Sequence, residues 1–216
     1  MFRGQAMNRK ISFGLAMVCG LISLAAGYGQ TGAEKLADLL LAGQANAGVR
    51  IEVFSDYQCP MCKAFYLETI KPLIADYTQA NKINKISITY HDFPLDMHQY
   101  ARKAARFAMA ALRLGRDRWL RVNDALYMEQ EKWSQDGNIE AVLAKVLDPA
   151  EVARIKSLAS NPAIEAAINE EVQLGISKKI DSTPTLFIAS QTGKQLRATG
   201  MINLPTLKSQ LDRLIN

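Results

Sequence analysis

Few features of the chain mark it as other than an ordinary globular protein. Proline and glycine are sparse, 7 and 13 of 216 residues, which excludes a collagen-like or disordered chain. Cysteine occurs three times, so no disulfide framework staples the fold. None is needed, because 216 residues that are 49% hydrophobic can bury a core unaided. The length suggests one domain with an embellishment, or two small ones. Charge of one sign is also scarce where it matters. The formal net charge is +5, but Arg3, Arg9 and Lys10 precede the first apolar run and no acid occurs before Glu34. From residue 30 onward 23 Lys/Arg face 21 Asp/Glu, a net of +2, so no nucleic-acid partner is expected.

The N-terminus reads as an address. Arg9 and Lys10 precede sixteen uncharged residues, Ile11–Ala26, and small residues follow in Ala25-Ala26-Gly27-Tyr28-Gly29. A basic segment, a short apolar run and a small-residue exit describe a secretory signal over 1–29, with cleavage near Gly27 or Gly29. An uncleaved membrane anchor and a buried core helix are the alternatives. Cys19 lies inside the apolar run. Its neighbours Ala16-Met17-Val18 do not resemble a lipoprotein box, so it reads as a small hydrophobe that leaves with the signal.

Without Cys19 the chain keeps only Cys59 and Cys62, two residues apart in Cys59-Pro60-Met61-Cys62. A bridge across so small a loop constrains the unfolded chain little. The pair therefore points to chemistry rather than to stapling.

Periodicity places that pair. Ala33–Gln44 reads as an amphipathic helical stretch within a peripheral segment, 30–48. Val49–Phe54 is a short strand and Ser55–Gln58 a loop. Cys59 opens a helix to about Ala80, with Pro60 at its first position and a kink at Pro72. Lys85–His91 alternates as a second strand, completing a βαβ unit. Residues 96–179 are helical almost throughout, with an expected four or five helices. These are Tyr100–Leu114, Asp117–Met128, one capped by Ser134 or Asp136 and reaching Leu147, and two opened by Asp148-Pro149 and Asn161-Pro162. Thr185–Ala189, a turn at Gln191–Lys194 and Gln195–Ala198 form a hairpin, and Leu204–Leu214 closes the chain. The excursion is too long for a loop and must supply a subdomain or lid.

Thiol–disulfide exchange needs a thiolate, a second thiol within one turn and access. At the start of a helix, Cys59 would be exposed and favoured as thiolate by backbone N–H groups and the helix dipole. Cys62, one turn inside, would resolve mixed disulfides. Two alternatives stay open. The only histidines, His91 and His98, could complete a zinc site with the two cysteines, although a spacing of seven is unusual. The pair could also be vestigial, in an exported or anchored binding module that docks partners on its helices. Reversible titration against glutathione separates these readings.

Phe54-Ser55-Asp56-Tyr57-Gln58-Cys59-Pro60-Met61-Cys62 resembles the active-site segment of the DsbA-like branch of thioredoxin-fold proteins. His91-Asp92-Phe93-Pro94-Leu95 with His98 is similar to the strand exit of that branch, and Ser182-Thr183-Pro184-Thr185-Leu186-Phe187-Ile188 to its cis-proline loop. The likeness runs from about Val49 to Ile215. It implies an α/β thioredoxin fold, a central mixed sheet flanked by helices, discontinuous over 49–95 and 180–216, with a helical insertion at 96–179. It also implies a cis Thr183–Pro184 bond beside the reactive cysteine, with Pro60, Met61, Thr183 and Pro184 contacting substrate. Pro184 read from the residues alone could equally be a strand-entry proline.

One departure stands out. Many thioredoxin-fold enzymes carry a buried acid six residues before the nucleophile, and here that position is Val53. Glu52 should face the other side of the strand. Asp56 reads as a turn residue, and His91 and His98 as structural or exposed. Met61 cannot donate a hydrogen bond to the thiolate as the histidine of the strongest oxidants does. The resulting expectation is an exported, monomeric oxidase with a reductase or isomerase as alternative. It would need no cofactor and no metal. Cysteine-containing exported proteins and a membrane redox partner, a quinone-linked oxidase or a reductase, would be its partners.

Overall fold

The computed structural model describes residues 39–215 together with Met1. The signal or anchor at 1–29, Cys19 and the first part of the 30–48 segment lie outside the described residues. Among the described residues no helix is long and apolar enough to cross a membrane.

Five strands form one mixed sheet in the order β1-β3-β2-β4-β5. They are β1 (Leu40–Gly43), β2 (Val49–Ser55), β3 (Ile86–Asp92), β4 (Thr185–Ser190) and β5 (Gln195–Thr199). β2 and β3 run parallel, as a βαβ unit requires, while β4 pairs antiparallel with β2, β5 with β4 and β1 with β3. Val49, Ile51 and Val53 alternate with Arg50 and Glu52, so one face of β2 is fully buried and the other is not. Ile86, Ile88, Leu186 and Ile188 complete that apolar layer.

The helix expected across residues 33–44 is not formed where the chain is described. Leu40–Gly43 is an edge strand bonded to β3 through a register shift between Leu40 and Ala42. Leu39, Leu41 and Ala42 are buried, so this segment is part of the core rather than peripheral. A run of leucine and alanine has helical propensity, but the unpaired edge of β3 supplies backbone partners that override it.

The helix after Cys59 has three parts: α1 (Pro60–Phe65), a π segment (Tyr66–Ile70) and α2 (Lys71–Gln79). The perturbation expected at Pro72 takes this form. Proline has no N–H for the carbonyl one turn back, and the wide turn just before it, in which Lys71 N–H reaches Tyr66 O, absorbs the mismatch.

Six helices, not four or five, connect β3 to β4: α3 (Ala101–Arg113), α4 (Arg116–Met128), α5 (Gln130–Asp136), α6 (Ile139–Leu143), α7 (Pro149–Ala159) and α8 (Pro162–Ser177). The two Pro-led helices start where expected, with Asp148 and Asn161 side chains accepting N-terminal N–H groups. The extra helix arises because Gly137, at a φ of 69°, ends α5 and Asn138 caps α6. The predicted caps Ser134 and Asp136 lie inside α5 instead. A final helix, α9 (Leu204–Ile215), packs Leu207 and Leu211 into the main core.

Candidate active site

The site forms at the carboxyl end of β2, where the chain leaves the sheet. Cys59 takes the cap position of α1 in extended conformation, with Pro60 as the first helical residue. Its carbonyl receives the Cys62 and Lys63 N–H groups, each at 3.1 Å. That turn brings both sulfurs to the mouth of the helix, and both are free thiols.

Exposure of the two cysteines differs from expectation. Cys59 is not openly exposed: only 6% of it is accessible, against 0% for Cys62. The reason is the loop before β4. The Thr183–Pro184 bond is cis, and the Cys59 thiol donates to the Thr183 carbonyl at 3.4 Å. The expected packing of the proline loop beside Cys59 is therefore present. Pro60 and Met61 remain exposed next to the sulfur, Met61 at 48%, whereas Thr183 and Pro184 are buried.

The two thiols are driven apart in acidity. Cys59 is lowered from 9.0 to about 6, chiefly by a hydrogen bond from the Cys62 thiol, with burial opposing. The Cys62 N–H, Thr183 and the Met61 N–H add smaller contributions. The neighbouring thiol thus does more than the helix N–H groups that sequence reasoning put first. Cys62 is pushed well above its ordinary value, first by burial and then by its bond with Cys59. One sulfur is prepared to ionise and the other to keep its proton.

Below the pair lies a buried layer of hydroxyl groups. Ser55 Oγ and Tyr127 Oη are 2.7 Å apart, and the Tyr57 hydroxyl donates to Asn123 Oδ1 at 2.9 Å. The Tyr127 ring stacks on Tyr66, with centroids 4.7 Å apart. Burial holds the Tyr57, Tyr90 and Tyr127 phenols well above their usual range. The loop over residues 55–59 is held mostly from the helical insertion. Gln130, itself buried, donates to the carbonyls of Tyr57 at 2.7 Å and Cys59 at 3.0 Å. The Gln58 side chain accepts from the Tyr100 N–H at 2.7 Å.

Val53 is fully buried between Tyr90 and Leu186, so no acid occupies the strand position below the cysteines. Glu52 faces the other side, as expected, paired with Lys178 at 2.7 Å. Asp56 does form a turn, accepting the Gln58 N–H, but it is also buried and bonded to His98. Sequence reasoning missed this because the partners lie about forty residues away. His91 is buried against Glu171 and stacks on Phe54, with centroids 4.5 Å apart. The two histidines thus serve carboxylates. Among the described residues no group of three or more His, Cys, Asp or Glu could hold a metal, so the suggested zinc set is not assembled. Asp92, at the end of β3, is pushed well above the carboxylate range by burial, then by Glu171 and Asp56.

A dithiol of split acidity, capped by a cis-proline loop on a five-stranded sheet with a helical insertion, defines a thiol–disulfide oxidoreductase of thioredoxin fold. The thioredoxin family model matches residues 36–202, and the chain belongs to that family, in its DsbA-like branch. It is similar to DsbA2 of Pseudomonas aeruginosa at 28% identity, covering 82% of this chain and 93% of that one, with a TM-score of 0.62. It is likewise similar to the thiol-disulfide exchange protein alpha-DsbA2 of Wolbachia pipientis, at 27% identity over 80% and 85% of the two chains and a TM-score of 0.65. Wolbachia alpha-DsbA1 shares the fold at 19% identity, with a TM-score of 0.66 over 82% of this chain and 90% of that one. No curated protein matches the chain.

Proposed function

We propose that this protein is an exported oxidase that introduces disulfide bonds into cysteine-containing exported proteins through Cys59 and Cys62. The observation that carries this reading is the split between the two thiols: Cys59 lowered to about 6 and still touching solvent at 6%, Cys62 raised and fully buried. Export rests on the basic, apolar and small-residue pattern of residues 1–29.

In the cycle, a substrate thiolate attacks Cys59 Sγ of the Cys59–Cys62 disulfide. The intramolecular S–S bond breaks and Cys62 leaves, taking up a proton. A second substrate thiolate then attacks the substrate sulfur of the mixed disulfide. Cys59 departs as thiolate, and its low pKa makes it a good leaving group. The substrate loses two electrons and the pair gains them. A membrane redox partner, quinone-linked, returns the pair to the disulfide. Pro60 and Met61 on one side and Thr183 and Pro184 on the other line the approach of substrate to Cys59. The protein acts as a monomer and requires no cofactor or metal.

The test is a pair of serine variants in a peptide-oxidation assay. Cys59→Ser should abolish turnover, while Cys62→Ser should accumulate mixed disulfides with substrate. Full activity of Cys59→Ser would refute the mechanism. A glutathione equilibrium fixes the direction: a potential near that of thioredoxin, about −270 mV, would mark a reductase instead.

A further inference from the structure

Asp56 is engaged twice over beside the cysteine pair, and the exchange cycle makes no use of it. Its side chain is fully buried. Three groups converge on the carboxylate: the Gln58 N–H on Oδ1 at 2.6 Å, the Leu95 N–H on Oδ2 at 2.8 Å, and His98 Nδ1 on Oδ2 at 2.7 Å. Its main chain meanwhile serves both cysteines. The Asp56 N–H donates to Cys62 Sγ at 3.4 Å, and its carbonyl accepts the Cys59 N–H at 3.2 Å. The side chain is thus tied to the exit of β3 and the turn ahead of α3, and the peptide units on either side of it to the two cysteines.

We infer that Asp56 is a positioning residue for thiol–disulfide exchange, its carboxylate clamping the peptide groups that bind Cys59 and Cys62. The inference rests on the proposed role of those two cysteines. A carboxylate only accepts, and it suits two backbone N–H groups and an imidazole Nδ1. Asparagine has one acceptor oxygen and one NH2. Gln58 uses one oxygen and Leu95 the other, so either orientation of an amide sets its NH2 against a backbone N–H. The loop must then move or leave a buried donor unpaired.

The bond from the Asp56 N–H to sulfur is present with both cysteines as free thiols. In the dithiol the Cys62 sulfur accepts the Asp56 N–H while its own S–H donates to Cys59, and bonds in such a chain strengthen one another; the disulfide has no S–H to extend the chain. Disturbing the clamp therefore raises the free energy of the dithiol more than that of the disulfide. It also withdraws support from the Cys62 thiolate as that thiolate attacks a mixed disulfide.

The experiment compares the full wild-type chain with Asp56→Asn. Two quantities are read: the equilibrium with oxidised and reduced glutathione, and the rate at which Cys62 displaces glutathione from a mixed disulfide on Cys59. The equilibrium should move about tenfold toward the protein disulfide and the displacement slow by about the same factor, as expected when one hydrogen bond of ordinary net worth is lost from the dithiol alone. A merely structural role would lower the melting temperatures of both redox forms alike and leave the equilibrium in place. Unchanged equilibrium and rate would overturn the inference. If Asp56→Asn does not fold, His98→Phe removes one of the three partners and keeps both backbone bonds. It should shift both quantities the same way by about threefold, and no shift would equally overturn the inference. A wild-type chain that does not exchange with glutathione refutes the exchange reading itself. An active wild type beside an indifferent variant refutes only the role of Asp56.

Discussion

Titrating Cys59 in the reduced protein probes the site most directly. Its thiol is lowered from 9.0 to about 6. At about 1.4 kcal/mol per tenfold, that drop corresponds to about 4 kcal/mol of preference for the ionised sulfur in the folded chain. The sign follows from linkage. A depressed thiol stabilises the dithiol form fully above its unfolded pKa, and the contribution is lost as pH falls through about 6. About 1.4 kcal/mol is expressed at about pH 7 and almost none at about pH 5. Cys62 adds nothing in this window, because burial and its bond with Cys59 push it upward. The disulfide form has no ionisable sulfur here, and groups common to both forms, such as Asp92 with its raised carboxyl, cancel in the difference between them. The assay is denaturant unfolding of both redox forms across this range, with thiolate absorbance and alkylation rate followed in parallel. The reduced form should gain stability over the oxidised form as pH rises, and alkylation should show a midpoint near 6. A midpoint in the ordinary thiol range, about 8.5, or a gap between the forms that ignores pH, would refute the reasoning.

Two further substitutions probe the surroundings. A methyl group at Gly175 would lie 2.4 Å from the Phe93 ring, which already packs edge-on against Phe54, so Gly175→Ala should cost about 1–3 kcal/mol in denaturant unfolding. Wild-type stability would show that the ring has room to move. Gln130→Ala withdraws the donor shared by the Tyr57 and Cys59 carbonyls and should cost a similar about 1–3 kcal/mol. A loss below about 0.5 kcal/mol would mean that water replaces the amide.

Much of the fold was legible because local signals and tertiary demands coincide. Asp148-Pro149 and Asn161-Pro162 mark helix starts wherever they occur, and both caps form as read. Alternation in Val49–Phe54 survives into the sheet because one face of β2 is fully buried, whereas Ile86–His91 is buried along both faces, Ser87, Thr89 and His91 included. Leu40–Gly43 was misread because its strand conformation comes from the edge of β3, not from its own residues. The extra helix was missed because Gly137 and Asn138 lie inside a stretch whose apolar spacing runs on past them. At the site, the cysteine pair follows from its spacing at a helix start, and the place of Pro184 from the family resemblance. Gln130 and Tyr127 do not, since no local pattern says which of many polar side chains on α4 and α5 will meet a loop some seventy residues earlier.

The ties between the 55–59 loop and the six helices have an engineering corollary. Excising residues 101–177 to obtain a minimal sheet protein would strip the amide from the Tyr57 and Cys59 carbonyls and the acceptor from the Tyr57 hydroxyl. It would also remove the phenol beside Ser55. The trimmed chain would keep its cysteine motif and Thr183 but lose the hydrogen bonds that hold the loop carrying Cys59 in place. Equally, a molecule gripping α4 or α5 from outside would have a mechanical handle on the reactivity of Cys59 without approaching it.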